Sequence, residues 1–285
     1  MFIENINKFL PKYKNIDKQY FVEILDFSNK NGFDLIKLEK DFLLTLILIK
    51  FGKKFPDLIF KWWTCLNKIY FPYFRLSEDL DFTINFKWWE KARETLLKKY
   101  KEYFVENLSK LWINIKKWRT SFDSYKLAIF TFEYKSIIND FFQTIRIDIS
   151  IKWDLQLKSV IWEIKSLYID NILEENLFWK HIINCIDLRE SMAEKIRASL
   201  TRRIPAIRDF FDIWYIKNYS NFDFSEDIFK KLVDFKLREV NYKYSLEWKY
   251  QVLKKQIEIN LVPVLSKEFS FNFDEIYNFI LNFKK

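Results

Sequence analysis

The feature that most restricts the fold of this chain is its shortage of glycine. Only Gly32 and Gly52 occur in 285 residues, whereas average usage of about 7% would give roughly 20. A fold with several strands needs glycine at turns where φ is positive, because a Cβ is strained there. The same chain holds 11 tryptophans, including the adjacent pairs Trp62-Trp63 and Trp88-Trp89.

Three more tryptophans lie among polar residues where turns are expected: Trp112, Trp118 and Trp153. We hypothesise that many of the tryptophan positions are UGA codons that the source organism reads as glycine. The alternative is that the tryptophans are genuine, in an organism that reads UGA as tryptophan.

The single histidine and the two cysteines exclude several kinds of chemistry. Cys65 and Cys185 give no disulfide framework, and with one histidine they cannot build a zinc site. A Ser-His-Asp or Cys-His arrangement would have to use His181, which has no nucleophile motif nearby. Catalysis must therefore depend on carboxylates, lysines, hydroxyls and bound metal.

The net charge of +9 is weak evidence for a polyanionic partner. An AT-rich coding sequence also produces a lysine-rich chain. The longest apolar run, residues 42–49, is flanked by charged residues and is far too short to cross a bilayer. The first residues lack the pattern of a signal peptide. We expect a cytoplasmic protein with no membrane association.

Hydrophobic periodicity predicts an α+β fold. In the first half, helical spacing and strand alternation each recur several times. The predicted helices are 18–29, 38–50 and 91–108, and the predicted strands are 58–60, 80–86, 125–135 and 142–152. From residue 188 onward the pattern is mainly helical. The sequence thus predicts an α+β core followed by a mainly helical C-terminal half.

Two aspartates, Asp79 and Asp81, lie two residues apart beside an alternating strand. Residues at this spacing project from the same face of a strand, so the two carboxylates could converge on a divalent metal ion. Phosphoryl transfer needs such a pair, because metal ions neutralise the charge of a triphosphate. An isolated Asp-x-Asp is also common at solvated strand ends. The neighbouring sequence must therefore show whether this pair belongs to a functional site.

The surroundings resemble the AbiEii/AbiGii nucleotidyltransferase toxins, which commonly read FKGGT, a short helix and then R-x-SED-x-D. The matching residues here are Lys61, Thr64, Leu66, Arg75, Ser77, Glu78, Asp79 and Asp81. Trp62 and Trp63 replace the two glycines of the family. Glycine is needed there because the backbone of the loop must approach a nucleotide phosphate without a Cβ in the way. This coincidence favours the glycine reading of both codons.

The resemblance extends over residues 35–218. Segments 192–198 and 208–212 are similar to the AEK-x-x-A and RD-x-x-D blocks of the family. The resemblance implies that residues 1–170 form a polymerase-β-like nucleotidyltransferase core with N-terminal helices. It also implies that residues 171–285 form a mainly helical domain that completes the active-site cleft.

The resemblance also implies site residues. Asp79, Asp81 and Asp148 would bind Mg²⁺ or Mn²⁺, with Asp148 as the third ligand or as the base for the incoming hydroxyl. Lys195 would reach the triphosphate, although a surface lysine is the alternative. Asp209 would orient Lys195 or contact the nucleotide, or else form a structural pair with Arg202 or Arg208. The implied nucleotide-binding positions are Lys61, Trp62, Trp63, Thr64, Arg75, Ser77 and Lys195.

The function implied by the resemblance is transfer of a nucleotide from a nucleoside triphosphate to an RNA acceptor, with tRNA as one candidate. The protein would act as a toxin in a toxin–antitoxin or abortive-infection (phage-defence) system, with a separately encoded antitoxin. Two alternatives stay open: nucleotidylation of a protein, or a catalytically inactive nucleotide-binding or interaction protein if Trp62 and Trp63 are genuine. The basic residues Lys195, Arg197, Arg202, Arg203 and Arg208 could line an RNA groove or form a solvated helical face.

Overall fold

The computed structural model describes residues 10, 16–86, 89–120, 125–151, 155–178, 180–240, 246–266 and 269–283. The chain divides into two compact units. The first comprises Met1–Leu155 and Ser159–Cys185, and the second comprises Gln156–Lys158 and Ile186–Lys285. Within the described ranges, no helix is long and apolar enough to span a bilayer.

The described part of the first unit contains four α-helices, of which the first two are capped by aspartate side chains. They are α1 (Lys18–Ser28), α2 (Leu35–Lys54), α3 (Trp62–Cys65) and α4 (Glu90–Leu108). The carboxylate of Asp17 accepts a hydrogen bond from the Tyr20 amide at 2.8 Å, and that of Asp34 accepts one from the Lys37 amide at 3.1 Å. Such caps satisfy amides that have no partner within the helix. Helix α3 continues directly into a π-helical turn, Leu66–Tyr70.

The described strands of the first unit form one mixed sheet. They are β1 (Ile59–Lys61), β2 (Asp79–Ile84), β3 (Asn114–Thr120), β4 (Leu127–Lys135), β5 (Phe142–Ile151), β6 (Val160–Glu163) and β7 (Ile182–Cys185). The spatial order is β3-β4-β5-β2-β1-β7-β6. Strand β2 runs parallel to β5 and antiparallel to β1. The strands that carry the predicted carboxylates, β2 and β5, are therefore central neighbours.

Alternation along β5 separates the two faces of the sheet. Ile145, Ile147, Ile149 and Ile151 are buried, whereas the residues between them are partly or fully exposed. On the buried face, Phe51 of α2 stacks on Phe104 of α4, with ring centroids 4.2 Å apart, and meets Phe82 of β2 edge-on at 5.2 Å. Burial of these rings stabilises the first unit and leaves polar side chains on the opposite face.

The second unit is helical in its described part. Its helices are α5 (Leu188–Thr201), α6 (Ile207–Tyr219), α7 (Asp227–Arg238), α8 (Tyr250–Gln256) and α9 (Phe273–Leu281). Lys236 of α7 is fully buried, and its ammonium lies 2.8 Å from Glu190 and 3.3 Å from Glu194 of α5. A buried charge requires such partners, because its hydration is lost on folding. This cluster ties α7 to α5.

The structure confirms the predicted α+β class and the helical second half. The sequence did not predict β3, β6 or β7. Strand β3 is an edge strand whose charged sequence lacks apolar alternation, and β6 and β7 have only four residues each. The expected turn at Trp118 is wrong, because this residue lies within β3 and its ring stacks on that of Phe130, with centroids 6.4 Å apart. Trp88 and Trp153 lie outside the described residues.

Candidate active site

Three predicted carboxylates meet at the centre of the sheet. Asp79 and Asp81 lie on one face of β2, because the residue between them, Leu80, is buried on the other. Strand β5 runs alongside in parallel and places Asp148 directly opposite Asp81. Directly paired residues of neighbouring strands project from the same face. The fold therefore brings Asp148, which is far away in the sequence, next to the pair of aspartates on β2.

Burial, together with nearby negative charge, perturbs the pKa of Asp81. Burial raises the pKa of Asp81 to about 7; Lys61 opposes this increase, whereas the nearby Asp148 and Asp79 add to it. Loss of hydration and like charges both disfavour the ionised carboxylate. A divalent cation would relieve this repulsion, and carboxylate oxygens are the ligands that magnesium prefers. The donor set of Asp79, Asp81 and Asp148 thus fits Mg²⁺ or Mn²⁺.

A neighbouring arginine occupies the third carboxylate. Arg146 donates from Nε to Oδ1 of Asp148 at 2.7 Å and from Nη2 to Oδ2 at 2.5 Å. Both residues lie on the open face of β5, two positions apart. Among the described residues, no three His, Cys, Asp or Glu side chains are already grouped to hold a metal ion. Asp148 would have to turn away from Arg146 to act as a metal ligand.

The segment that follows β1 begins beside these carboxylates; we call residues 61–64, which include the start of the single turn of α3, the β1 loop. Lys61, the last residue of β1, lies opposite Asp81 in the strand register, and its ammonium donates to Ser150 Oγ at 2.8 Å. The next residue, Trp62, has a φ of 65°. This left-handed conformation suits glycine and costs a residue with a Cβ about 1–2 kcal/mol. The backbone thus has a glycine-type conformation at the position where the related sequences have glycine.

Hydrogen bonds attach this loop to the start of β2. Thr64 Oγ1 donates to the carbonyl of Asp79 and lies 2.8 Å from the hydroxyl oxygen of Ser77. Arg75 is buried, donates to the carbonyl of Leu76 at 2.9 Å, and has its guanidinium carbon 5.6 Å from the centroid of the Trp63 ring. These contacts hold the loop close to the carboxylates, whereas the predicted phosphate clamp at Arg75 stays a prediction.

The remaining predicted residues lie in the second unit. Lys195 of α5 is buried and donates to Asp212 Oδ2 at 2.6 Å. Asp209 is also buried and lies 3.3 Å from a guanidinium nitrogen of Arg202, so the structural pair that the sequence left open as an alternative is present. The roles predicted for Lys195 and Asp209 at a nucleotide stay predictions.

Two residues of these clusters were not predicted, namely Arg146 and Asp212. Arg146 lies two positions before Asp148 on an alternating strand, so the spacing that linked Asp79 to Asp81 could have revealed it. Asp212 is the last residue of the RD-x-x-D block. Lys195 is 17 residues away from it, and that pairing depends on how α5 packs against α6.

The site and the fold together define the class. A mixed sheet with two aspartates on one strand, a third on the parallel neighbour and a tight loop after β1 is the arrangement of a nucleotidyltransferase. The family described as "Nucleotidyl transferase AbiEii toxin, Type IV TA system" matches residues 47–280. The chain belongs to this AbiEii family of nucleotidyltransferase toxins, which act in type IV toxin–antitoxin systems.

One solved structure supports this fold. The crystal structure of JHP933 from Helicobacter pylori is 15% identical in sequence; the match covers 88% of this chain and 91% of that one, with a TM-score of 0.50. A candidate nucleotidyltransferase from H. pylori is also 15% identical, over 87% of this chain and 92% of that one, with a TM-score of 0.47. At this identity the likeness concerns the fold alone. No curated protein matches the sequence.

Proposed function

We propose that the protein transfers a nucleotide from a nucleoside triphosphate to an RNA acceptor in a metal-dependent reaction. The observation that carries the proposal is the row formed by Lys61, Asp81 and Asp148 on neighbouring strands. It places a cation, the β1 loop and a carboxylate cluster side by side, as a triphosphate and its metal ions require.

In this proposal Asp79 and Asp81 hold Mg²⁺ or Mn²⁺, which when bound neutralises the phosphates and the developing negative charge. Lys61 and the backbone of the loop bind the triphosphate on the β1 side. Asp148, once free of Arg146, serves as a third ligand or accepts the proton of the attacking hydroxyl. The bond from that hydroxyl to the α-phosphorus forms as the bond to pyrophosphate breaks.

The biological setting follows from the family. We infer a cytoplasmic toxin that is countered by a separately encoded antitoxin in a toxin–antitoxin or phage-defence system. RNA is the acceptor that we favour, and tRNA is one candidate because it is abundant and has a free 3′ hydroxyl. Nucleotidylation of a protein is the second enzymatic candidate.

A third candidate, nucleotide binding without transfer, is favoured by a specific observation. The indoles of Trp62 and Trp63 lie 5.8 Å apart, and the ammonium of Lys61 is 5.3 Å from the centroid of the Trp62 ring. As genuine side chains they would occupy the loop that should receive phosphate. The chain would then keep the carboxylates but lose the reaction.

The test is transfer of label from α-labelled nucleoside triphosphates to total RNA and to total protein, with magnesium present. We expect labelled RNA, and no label with Asp81→Asn. The exposed Asp26→Asn on α1 is the matched control and should transfer normally. Label in protein alone would replace the RNA proposal, and tight nucleotide binding without any transfer would support the inactive alternative.

A further inference from the structure

One face of the sheet carries a continuous row of side chains across five strands. Lys61 lies opposite Asp81, Asp81 opposite Asp148, Asp148 opposite Ile129, and Ile129 opposite Arg119. Arg119 belongs to the edge strand β3, three strand spacings from Asp81. This separation is roughly 14 Å. The row therefore runs from the β1 loop, over the carboxylates, to a cation at the edge.

A second row runs beside the first. It joins Asp79 to Arg146, Arg146 to Thr131, and Thr131 to Lys117 of β3. Lys117 is thus two residues from Arg119 and projects from the same face. Both rows contain an aspartate of β2 and end at a basic side chain on the edge strand.

The two basic residues at the edge are available for a ligand. Lys117 and Arg119 are exposed, and neither makes an ion pair with another described residue. Their neighbours on β4, Thr131 and Ile129, are uncharged. The register of β3 shifts between Ile115 and Lys117, and the extra residue, Lys116, pairs with Glu133. The nearby carboxylate is therefore already occupied, and Lys117 and Arg119 remain as a positive edge.

In-line transfer decides which side of the site an acceptor must use. The attacking and leaving oxygens lie on opposite sides of the phosphorus. If the triphosphate is bound at Lys61 and the β1 loop, pyrophosphate leaves toward β1. The attacking hydroxyl must then arrive from the side of β5, β4 and β3, where Arg146, Lys117 and Arg119 lie.

We propose that Lys117 and Arg119 bind the phosphate backbone of the RNA acceptor and guide its terminal hydroxyl over β4 toward Asp148. This inference rests on the proposed function, because it assumes an RNA acceptor. In the second unit, most of the basic side chains that the sequence indicated for RNA binding are engaged. Four of its five predicted basic side chains are engaged within the unit: Lys195 with Asp212, Arg197 with Glu194, Arg202 with Asp209, and Arg208 with the carbonyl of Asn260.

The experiment measures binding of a labelled single-stranded RNA that ends in a free 3′ hydroxyl, without nucleotide and at several salt concentrations. The double variant Lys117→Ala/Arg119→Ala should bind about tenfold more weakly. The slope of log affinity against log salt should fall by about 1.4, because each phosphate contact on a single strand contributes roughly 0.7. Binding of magnesium-ATP should not change. Both substituted side chains are exposed, so the melting temperature should match that of the wild type.

The matched control removes the same charge elsewhere. Lys53→Ala/Lys54→Ala at the exposed end of α2 should leave RNA affinity within about twofold of wild type. Wild-type affinity of the β3 variant, or an equal loss in the control, would overturn the proposal. The proposal would also be overturned if RNA binding were lost in Arg203→Ala of the second unit and not in the β3 variant.

Transfer assays separate this proposal from the proposed function. If the wild type labels RNA and the β3 variant has an unchanged KM for RNA, the β3 proposal fails while the function stands. If the wild type labels no RNA but still binds it through Lys117 and Arg119, the β3 site stands while the acceptor proposal fails.

Discussion

Arg146 holds both carboxylate oxygens of Asp148, at 2.7 and 2.5 Å, on the open face of the strand that pairs with β2. The pair is bidentate and charge-assisted, which makes it a strong one. It also makes Arg146 a competitor for any cation that Asp148 would bind.

Replacement of Arg146 should therefore strengthen metal binding in the absence of nucleotide. For Arg146→Gln at about pH 8.5, above the pKa of Asp81, we expect magnesium to bind several-fold more tightly, as measured by calorimetry. The reason is that the variant loses both the competing hydrogen bonds and a positive charge. The exposed Arg119→Gln is the matched control and should have wild-type metal affinity. Weaker binding in Arg146→Gln would show that Arg146 organises the site.

The raised pKa of Asp81 predicts how stability depends on pH. In the folded state this pKa is about 7, against an ordinary value of 3.8, so folding becomes less favourable as Asp81 loses its proton between these values. This loss of folding stability is absent well below pH 4 and complete above about pH 7. Asp81→Asn should therefore stabilise the metal-free protein at pH 8, by on the order of 2 kcal/mol, and by less at pH 5.

Thermal melts at the two pH values would check this difference. The exposed Asp26→Asn should show no such dependence on pH. A wild-type protein that is as stable as Asp81→Asn at pH 8 without metal would contradict the assignment of a strained carboxylate.

Backbone conformation indicates which tryptophan positions should be UGA codons read as glycine. Trp62 and Trp112 both have left-handed φ angles, 65° and 59°, whereas Trp214 is buried inside α6. We expect UGA codons at positions 62 and 112, as well as at 63, 88 and 89, and UGG at position 214. Codons read from the gene decide this directly, and UGG at positions 62 and 63 would refute the glycine hypothesis.

The same positions predict opposite effects of glycine. Trp62→Gly and Trp112→Gly should each stabilise the protein by about 1 kcal/mol, because the left-handed strain is relieved. Trp214→Gly should destabilise it by about 3–5 kcal/mol through the loss of buried volume. Of the two stabilising variants, only Trp62→Gly should increase nucleotide binding or transfer, since Trp112 is a matched left-handed position outside the candidate site. If both variants changed nucleotide binding equally, the β1 loop would not be part of the site.

The buried pair of Lys195 and Asp212 predicts a test that separates stability from function. Lys195→Met should destabilise the protein by about 3–5 kcal/mol, because the carboxylate of Asp212 is left buried without its partner. Addition of Asp212→Leu should recover most of that loss. If Lys195 contacts the triphosphate, the double variant will fold well but keep a raised KM for nucleotide. If the double variant recovered both stability and the wild-type KM for nucleotide, the role of Lys195 would be purely structural.

Local features of the site could be predicted from the sequence because they depend on short spacings. Asp79 and Asp81 share a face through the two-residue repeat of a strand. Helices α1, α2 and α4 follow from apolar periodicity, and capping aspartates begin the first two of them. Strand β3 could not be predicted, because its charged side chains hide the alternation and its pairing with β4 is what makes it a strand.

Sequence alone predicted the residues to which we assign the chemistry: paired aspartates, a lysine before a tight loop, and tryptophans where glycine is needed. Only the tertiary structure decided which of them meet. The register between β2 and β5 places Asp148 opposite Asp81, and the register between β4 and β3 extends that row to Arg119. Strand register depends on packing between segments distant in the sequence, and a slip of one residue would turn every side chain to the other face. The left-handed backbone of Trp62 is likewise imposed by the direct junction of β1 and α3, against the preference of its own side chain.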